Sequence, residues 1–271
     1  MLHPDAQALD FDRLDRLDRL DRLDQLLADY ARDGYVRLGR VLTDEALALL
    51  RERVDDLMHG RRVYPNMFFQ RDSPSGSYDD LHFKRGYEGP SDEYRKVEKI
   101  EQDPVLRAWL ENPLYERIAR RWIEGPIALF RAVVFNKSSR GGTELPWHQD
   151  GGQFWGLDRN PTLQIWTGLD DATLESGCVQ LIPRTHLAGL RTPFGGTIPK
   201  EIADARIGDA IFLPAVAGEA LLIHNHTWHR SGLNRSGKPR RALSFCYMSA
   251  ETRCLRRKGT PRSFVRLFEG G

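Results

Sequence analysis

The chain has 271 residues, 40% of them hydrophobic, with 40 Lys and Arg against 38 Asp and Glu and a formal charge of +2. That length fits one well-filled domain, and so balanced a charge gives no field that would gather nucleic acid or an anionic membrane, so neither is expected as a partner. Cys178, Cys246 and Cys254 lack Cys-x-x-Cys spacing and indicate neither a disulfide framework nor a thiolate zinc site, which fits a reducing, cytoplasmic setting. No apolar run reaches membrane-span length, and no apolar secretory segment stands at the N-terminus.

Residues 11–27 repeat a Leu-Asp-Arg unit that pairs Asp12 with Arg16, Asp15 with Arg19 and Asp18 with Arg22 at helical spacing. A three-residue period drifts around a 3.6-residue helix, so residues 1–25 read as a low-complexity helical or frayed extension and 26–271 as the single domain. A coiled-coil partner would need heptads, which are missing. From Leu26 the texture is globular: Leu26, Leu27, Tyr30 and Ala31 share a helical face, Gly34 supplies a stop, and Tyr35 to Leu38 can start a strand. Thr43 is a good N-cap, with Asp44 and Glu45 at the positive end of the dipole. Leu47, Leu50, Val54 and Leu57 repeat at helical spacing up to His59 and Gly60. Residues 61–92 mix Pro and Gly with Tyr64, Phe68, Phe69, Tyr78, Phe83 and Tyr87, and read either as a lid over a site or as a surface loop pinned by its rings.

Helical patterns return at Pro104–Leu110 and Pro113–Trp122. Short β-rich runs follow at Ile127–Asn136, Leu163–Thr167, Cys178–Ile182, Ala210–Leu213, Ala220–His224 and Ala242–Met248, bounded by Gly, Pro, Asn and Ser. Helices first and many strands after predict a mainly β fold, a two-sheet jelly roll buttressed by N-terminal helices, with no linker dividing it.

The candidate site starts in Trp147-His148-Gln149-Asp150-Gly151-Gly152, where His148 and Asp150 stand two residues apart and a strand projects both to one face. Two histidines and one carboxylate are the ligand set of non-haem Fe(II) oxygenases, and the second histidine has three candidates, His224, His226 and His229. His224 ends an apolar strand and His226 shares its parity. His229 opens a new segment that leads through Asn234–Pro239 to Arg240, a hairpin that would set His229 beside the next strand and let an inward Arg240 reach past the metal. That reach suits 2-oxoglutarate, whose keto end chelates iron while its far carboxylate takes the fork of an arginine.

Four segments together resemble the phytanoyl-CoA dioxygenase family of Fe(II)- and 2-oxoglutarate-dependent oxygenases: Asp33 to Val36, Trp147 to Gly151, Gly177 to His186 and His229 to Ser236, with Arg240 after them. The resemblance runs from about Tyr30 to Met248. It implies a cupin-like double-stranded β-helix with His148, Asp150 and His229 as iron ligands and Arg240 on the far carboxylate of the co-substrate. It also implies Trp166 as a wall of the co-substrate pocket, Lys96 as a contact to 2-oxoglutarate, and His186 as a structural residue. Ser231 shares strand parity with His229 and can hydrogen-bond the co-substrate. Each also has an ordinary reading: Arg240 as a solvated hairpin end, Trp166 as core, Ser231 as a turn former, Lys96 as surface.

The resemblance further implies O2 as oxidant and hydroxylation with release of succinate and CO2, because Asp150 stands where related halogenases have a small residue. Desaturation, ring closure and epimerisation share the same beginnings. Gln153, Phe154, Trp155, His82, Phe83 and Arg85 are the candidate walls for a small-molecule substrate, whether secondary metabolite, amino acid or acyl derivative. A monomer or weak homo-oligomer is expected. Two other classes stand beside this one: a cupin-like lyase or isomerase using the metal as a Lewis acid, and a non-catalytic binding protein on the same fold.

Overall fold

A computed structural model of the chain describes residues 20–82, 86–256 and 261–270; most of the Leu-Asp-Arg repeat, Phe83 and Arg85 lie outside the described residues. Helix α1 (Leu20–Asp33) buries Leu23, Leu27 and Tyr30, one stripe at i, i+4 and i+7, so the last repeat unit already belongs to the core and the chain has no break at residue 25. Gly34, at φ +80°, ends the helix, its N–H donating to the Tyr30 carbonyl at 2.8 Å, and β1 (Tyr35–Arg40) follows at once. The Thr43 hydroxyl accepts the Ala46 N–H at 3.1 Å and caps α2 (Asp44–Met58), which buries Leu47, Leu50, Val54 and Leu57.

Residues 61–92 are not one loop. They contain β2 (Phe68–Arg71), which pairs with β3 (Tyr94–Glu98) and carries Phe69 into the core beside Val97. Both strands are short and sit among Pro and Gly, which hides their alternation. Helices α3 (Pro104–Leu110) and α4 (Pro113–Arg120) begin where expected. The Asp103 carboxylate takes the Val105 and Leu106 N–H groups, and the Asn112 side chain takes that of Tyr115.

The rest is β4 (Ile127–Lys137), β5 (Leu145–Gln149), β6 (Leu163–Gly168), β7 (Val179–Ile182), β8 (Gly196–Thr197), α5 (Lys200–Asp204), β9 (Ile211–Leu213), β10 (Glu219–His224), β11 (Trp228–Ser231), β12 (Arg240–Ser249) and β13 (Arg266–Phe268). The major sheet runs β1-β10-β6-β12-β4-β3-β2, with β13 also on β4, and the minor sheet runs β8-β5-β11-β7-β9. Period-two alternation divides β12 between two layers. Leu243, Phe245 and Tyr247 pack outward with Leu50, Trp109 and Tyr115 of the helices, while Ala242 turns inward among Trp166, Leu181 and Leu221. This is the expected double-stranded β-helix with a helical buttress.

The connection from His229 to Arg240 differs from expectation. β11 pairs with β5 and β7 in the minor sheet, whereas β12 pairs with β4 and β6 in the major one, so the segment between them crosses from sheet to sheet instead of forming a hairpin. Asn234 directs the crossing: its Nδ2 donates to the carbonyls of Lys137 and Ser138 at 3.1 Å each and of Lys238 at 2.6 Å. The turn is thereby tied to the end of β4 and delivers Arg240 opposite Lys137.

Candidate metal centre

His148 on β5 and His229 on β11 are direct cross-strand partners with ring centroids 4.1 Å apart. The two rings are anchored in the same way. Nδ1 of His148 lies 2.9 Å from the Pro146 carbonyl and Nδ1 of His229 lies 2.8 Å from that of Thr227. A donating Nδ1–H on each leaves Nε2 as the free lone pair, the tautomer a metal ligand requires. Asp150 follows the end of β5, its N–H held by the Asn225 carbonyl at 2.7 Å, and its Oδ2 lies 3.8 Å from His229 Nε2. One ligand atom from each of the three residues lies within 4.8 Å of the others.

The chain around Asp150 is locked on both sides. Gln149 points away and donates to the Gly189 and His226 carbonyls at 2.8 and 2.6 Å, while its Oε1 accepts the Arg191 N–H at 2.6 Å. Gly152 turns the backbone at φ +94°, and a Cβ there would stand 2.3 Å from the Phe194 carbonyl oxygen.

Arg131 of β4 was not anticipated from sequence. Its Nη2 donates to Asp150 Oδ2 at 2.8 Å and to Gln164 Oε1 at 3.2 Å. A guanidinium in the middle of the apolar run Ile127–Asn136 was the available signal. Burial alone would raise the Asp150 pKa, but Arg131 and the two imidazoles outweigh it and hold the carboxyl down at about 2. Burial, aided by the neighbouring His229, pushes His148 down to about 3, so its imidazole is neutral at physiological pH. Two anchored imidazoles and one ionised carboxylate converging from one side fit a divalent first-row metal and leave its other positions open.

Arg240 is 3% exposed, and its Nη2 donates to the Gly177 carbonyl at 2.9 Å. Its buried Nε has no hydrogen-bond partner among the described residues, and burial lowers its pKa to about 10. Arg240, Ala242, Ser244 and Cys246 alternate onto one face of β12, and Cys246 stands opposite Arg131. Arg240 therefore faces the same space between the sheets as the triad. Ser231 is buried on β11 with the parity of His229, and Trp166 is buried in the inter-sheet core opposite Ser244. Lys96 stands opposite Phe135, on the Arg131 face, with its ammonium paired to Glu98 and 5.7 Å from the Phe68 ring centroid.

The candidate substrate walls separate. Trp155 is buried beside Arg131, its ring centroid 4.3 Å from that of Phe130 and the Arg131 guanidinium 5.1 Å from its own. Gln153 is exposed, and Phe154 faces outward against Phe194 at 5.9 Å. His82 lines a cavity of about 850 Å³ with Arg71, Asp72, Glu88 and Arg140, whose walls include none of the triad residues. His186, His224 and His226 pack on one another at 4.8 and 5.2 Å, outside the triad, and His186 Nε2 lies 3.0 Å from the Ala31 carbonyl.

The sequence profile described as Phytanoyl-CoA dioxygenase (PhyH) matches residues 30–242. The chain belongs to the phytanoyl-CoA dioxygenase family. Among its relatives in that family, phytanoyl-CoA dioxygenase domain-containing protein 1 of Bos taurus is 30% identical over 159 residues, 55% of this chain and 54% of that protein. The chain thus spans about half the length of that relative. L-proline trans-4-hydroxylase of Streptomyces griseoviridis is 25% identical over 243 residues, 80% of this chain and 83% of that protein. The crystal structure of the epimerase SnoN in complex with Fe3+, alpha ketoglutarate and nogalamycin RO superimposes with a TM-score of 0.70 at 20% identity, covering 92% of this chain and 99% of that one. This family member therefore shares the SnoN fold. Among the described residues no helix is long and apolar enough to cross a membrane.

Proposed function

We propose that this family member is an Fe(II)- and 2-oxoglutarate-dependent dioxygenase that hydroxylates a small molecule with release of succinate and CO2. One observation carries the reading: His148, Asp150 and His229 converge within 4.8 Å, and the buried Nε of Arg240, unpartnered among the described residues, faces the same space. The triad would hold iron, and Arg240 would take the far carboxylate of 2-oxoglutarate, with Ser231, Trp166 and Lys96 around the co-substrate. When bound, iron supplies the coupling of O2 to the oxidative decarboxylation of 2-oxoglutarate and to oxidation of a substrate C–H bond.

The protein's own groups do the positioning. The Pro146 and Thr227 carbonyls hold both imidazoles in the ligating tautomer, and Arg131 keeps Asp150 ionised. The inter-sheet core around Trp166 excludes water from the co-substrate end. Asp150 fills the position that a halogenase would leave for halide, which favours hydroxylation. Cys178 and Cys246 are buried free thiols, suited to a reducing cytoplasm. We further infer a single domain that takes in α1 together with residues 26–271, a monomer or weak homo-oligomer, and no nucleic-acid or membrane partner. The test is anaerobic addition of Fe(II) and 2-oxoglutarate, watched for a weak visible charge-transfer band, then O2 and succinate detection. Absence of both band and succinate overturns the reading in favour of a non-redox lyase or isomerase, which would not consume 2-oxoglutarate.

A further inference from the structure

We propose that Arg131 is a second anion-binding arginine in the space between the sheets, and that the substrate is a small carboxylic acid whose carboxylate it anchors beside the triad. The inference rests on the oxygenase reading and adds the substrate class. Arg131 and Arg240 project from the same face of the major sheet. Arg131 stands opposite Cys246, six residues along β12 from Arg240, which at about 3.4 Å per residue sets their backbones roughly 20 Å apart. A co-substrate docked on Arg240 therefore leaves Arg131 to another ligand.

Arg131 has donors to spare. A guanidinium carries five N–H groups. The Nη2 of Arg131 is spent on Asp150 and Gln164, whereas its Nε is buried with no hydrogen-bond partner among the described residues. Because Nη2 lies 2.8 Å from Asp150 Oδ2, an anion received on the remaining donors sits against the proposed metal ligands. The surroundings suit a compact organic acid. The guanidinium lies 5.1 Å from the Trp155 ring centroid and 6.0 Å from that of Phe130, and Arg262 lies 5.2 Å from Phe130 and 5.3 Å from Phe264. Aromatic faces and two cations accept an apolar body with one negative end. An acyl thioester has no charge next to its acyl carbons and would leave the Nε of Arg131 without an acceptor, since Asp150 and Gln164 take only Nη2.

The test uses the full chain loaded with Mn(II) and saturated with 2-oxoglutarate, with trifluoroacetate as probe, trifluoroacetamide as its neutral counterpart, and fluorine NMR line broadening by the metal as readout. In the wild type, trifluoroacetate should be broadened at least about tenfold more than the amide at equal concentration, the scale of one charge-assisted contact. In Arg131→Gln that difference should vanish, and in Arg131→Lys it should partly return. Equal broadening of both probes in the wild type overturns the proposal, and that comparison needs no variant to stay folded or metal-loaded. Unchanged trifluoroacetate broadening in metal-loaded Arg131→Gln overturns it as well. If the wild type gives the anaerobic Fe(II) and 2-oxoglutarate band but no trifluoroacetate broadening, the anchor fails while the oxygenase reading stands. If the band is missing, both fail.

Discussion

Replacing Arg240 with Gln should move two measurements in opposite directions. Without a ligand, Arg240 is a buried cation whose side chain has, among the described residues, one hydrogen bond, to Gly177, and an unpartnered Nε. Its pKa falls from 12.5 to about 10 through burial, which at about 1.4 kcal/mol per unit corresponds to about 3 kcal/mol of disfavoured charge. Loss of the bond to Gly177 offsets about 1–2 kcal/mol of that gain, so the ligand-free variant should be as stable as the wild type or slightly more so. Binding of 2-oxoglutarate should suffer instead. Removing one partner of a buried charge pair costs about 2–5 kcal/mol, a rise in Kd from about 30-fold to several thousand-fold. Urea unfolding of the ligand-free protein and anaerobic titration of 2-oxoglutarate into the Mn(II)-loaded protein measure the two effects. A variant that is destabilised by several kcal/mol yet binds 2-oxoglutarate normally would mean that Arg240 is structural and the reasoning is wrong.

Gly152→Ala should strain the turn after Asp150 by about 1–3 kcal/mol, since φ is +94° and the new Cβ meets the Phe194 backbone at 2.3 Å. Mn(II) titration should show at least about tenfold weaker binding, and unchanged affinity would detach that turn from the metal centre. Acid should destabilise the metal-free protein. His148 and His224 each have a folded-state pKa of about 3 against 6.5 unfolded, so the unfolded chain gains protons first and stability is lost as pH falls through that window. At about pH 5 each costs about 2 kcal/mol, Asp150 adds to the loss only at lower pH, and His224→Asn should flatten the dependence. Equal urea midpoints at about pH 7.5 and 5 would refute this.

Local chemistry was legible in the sequence wherever it is local in the structure. Gly34, Thr43, Pro104 and Pro113 mark helix ends because a cap or a stop is decided by a few neighbouring residues. The six apolar β runs carry their own alternation, which is enough to read a jelly roll. His148 and Asp150 are two residues apart and were read as a pair; His229 joins them in space because β11 lies against β5. What was not legible depends on which sheet a strand joins. An alternating pattern says nothing of that, so the segment from Ser231 to Arg240 was read as a hairpin although Asn234 carries it between sheets. β2 was concealed among Pro and Gly, and Leu23 looked adrift in its repeat until β1 and β10 supplied a surface for it. Arg131 escaped notice because a charge in an apolar strand has no meaning until its partner, Asp150, arrives from 19 residues away.

The most direct test of the central claim is the anaerobic visible spectrum with Fe(II) and 2-oxoglutarate, recorded for the wild type, His229→Ala and His226→Ala. The triad geometry predicts a charge-transfer band for the wild type and for His226→Ala and its loss in His229→Ala. A band that survives in His229→Ala, or that disappears only in His226→Ala, would contradict the assignment of the iron site.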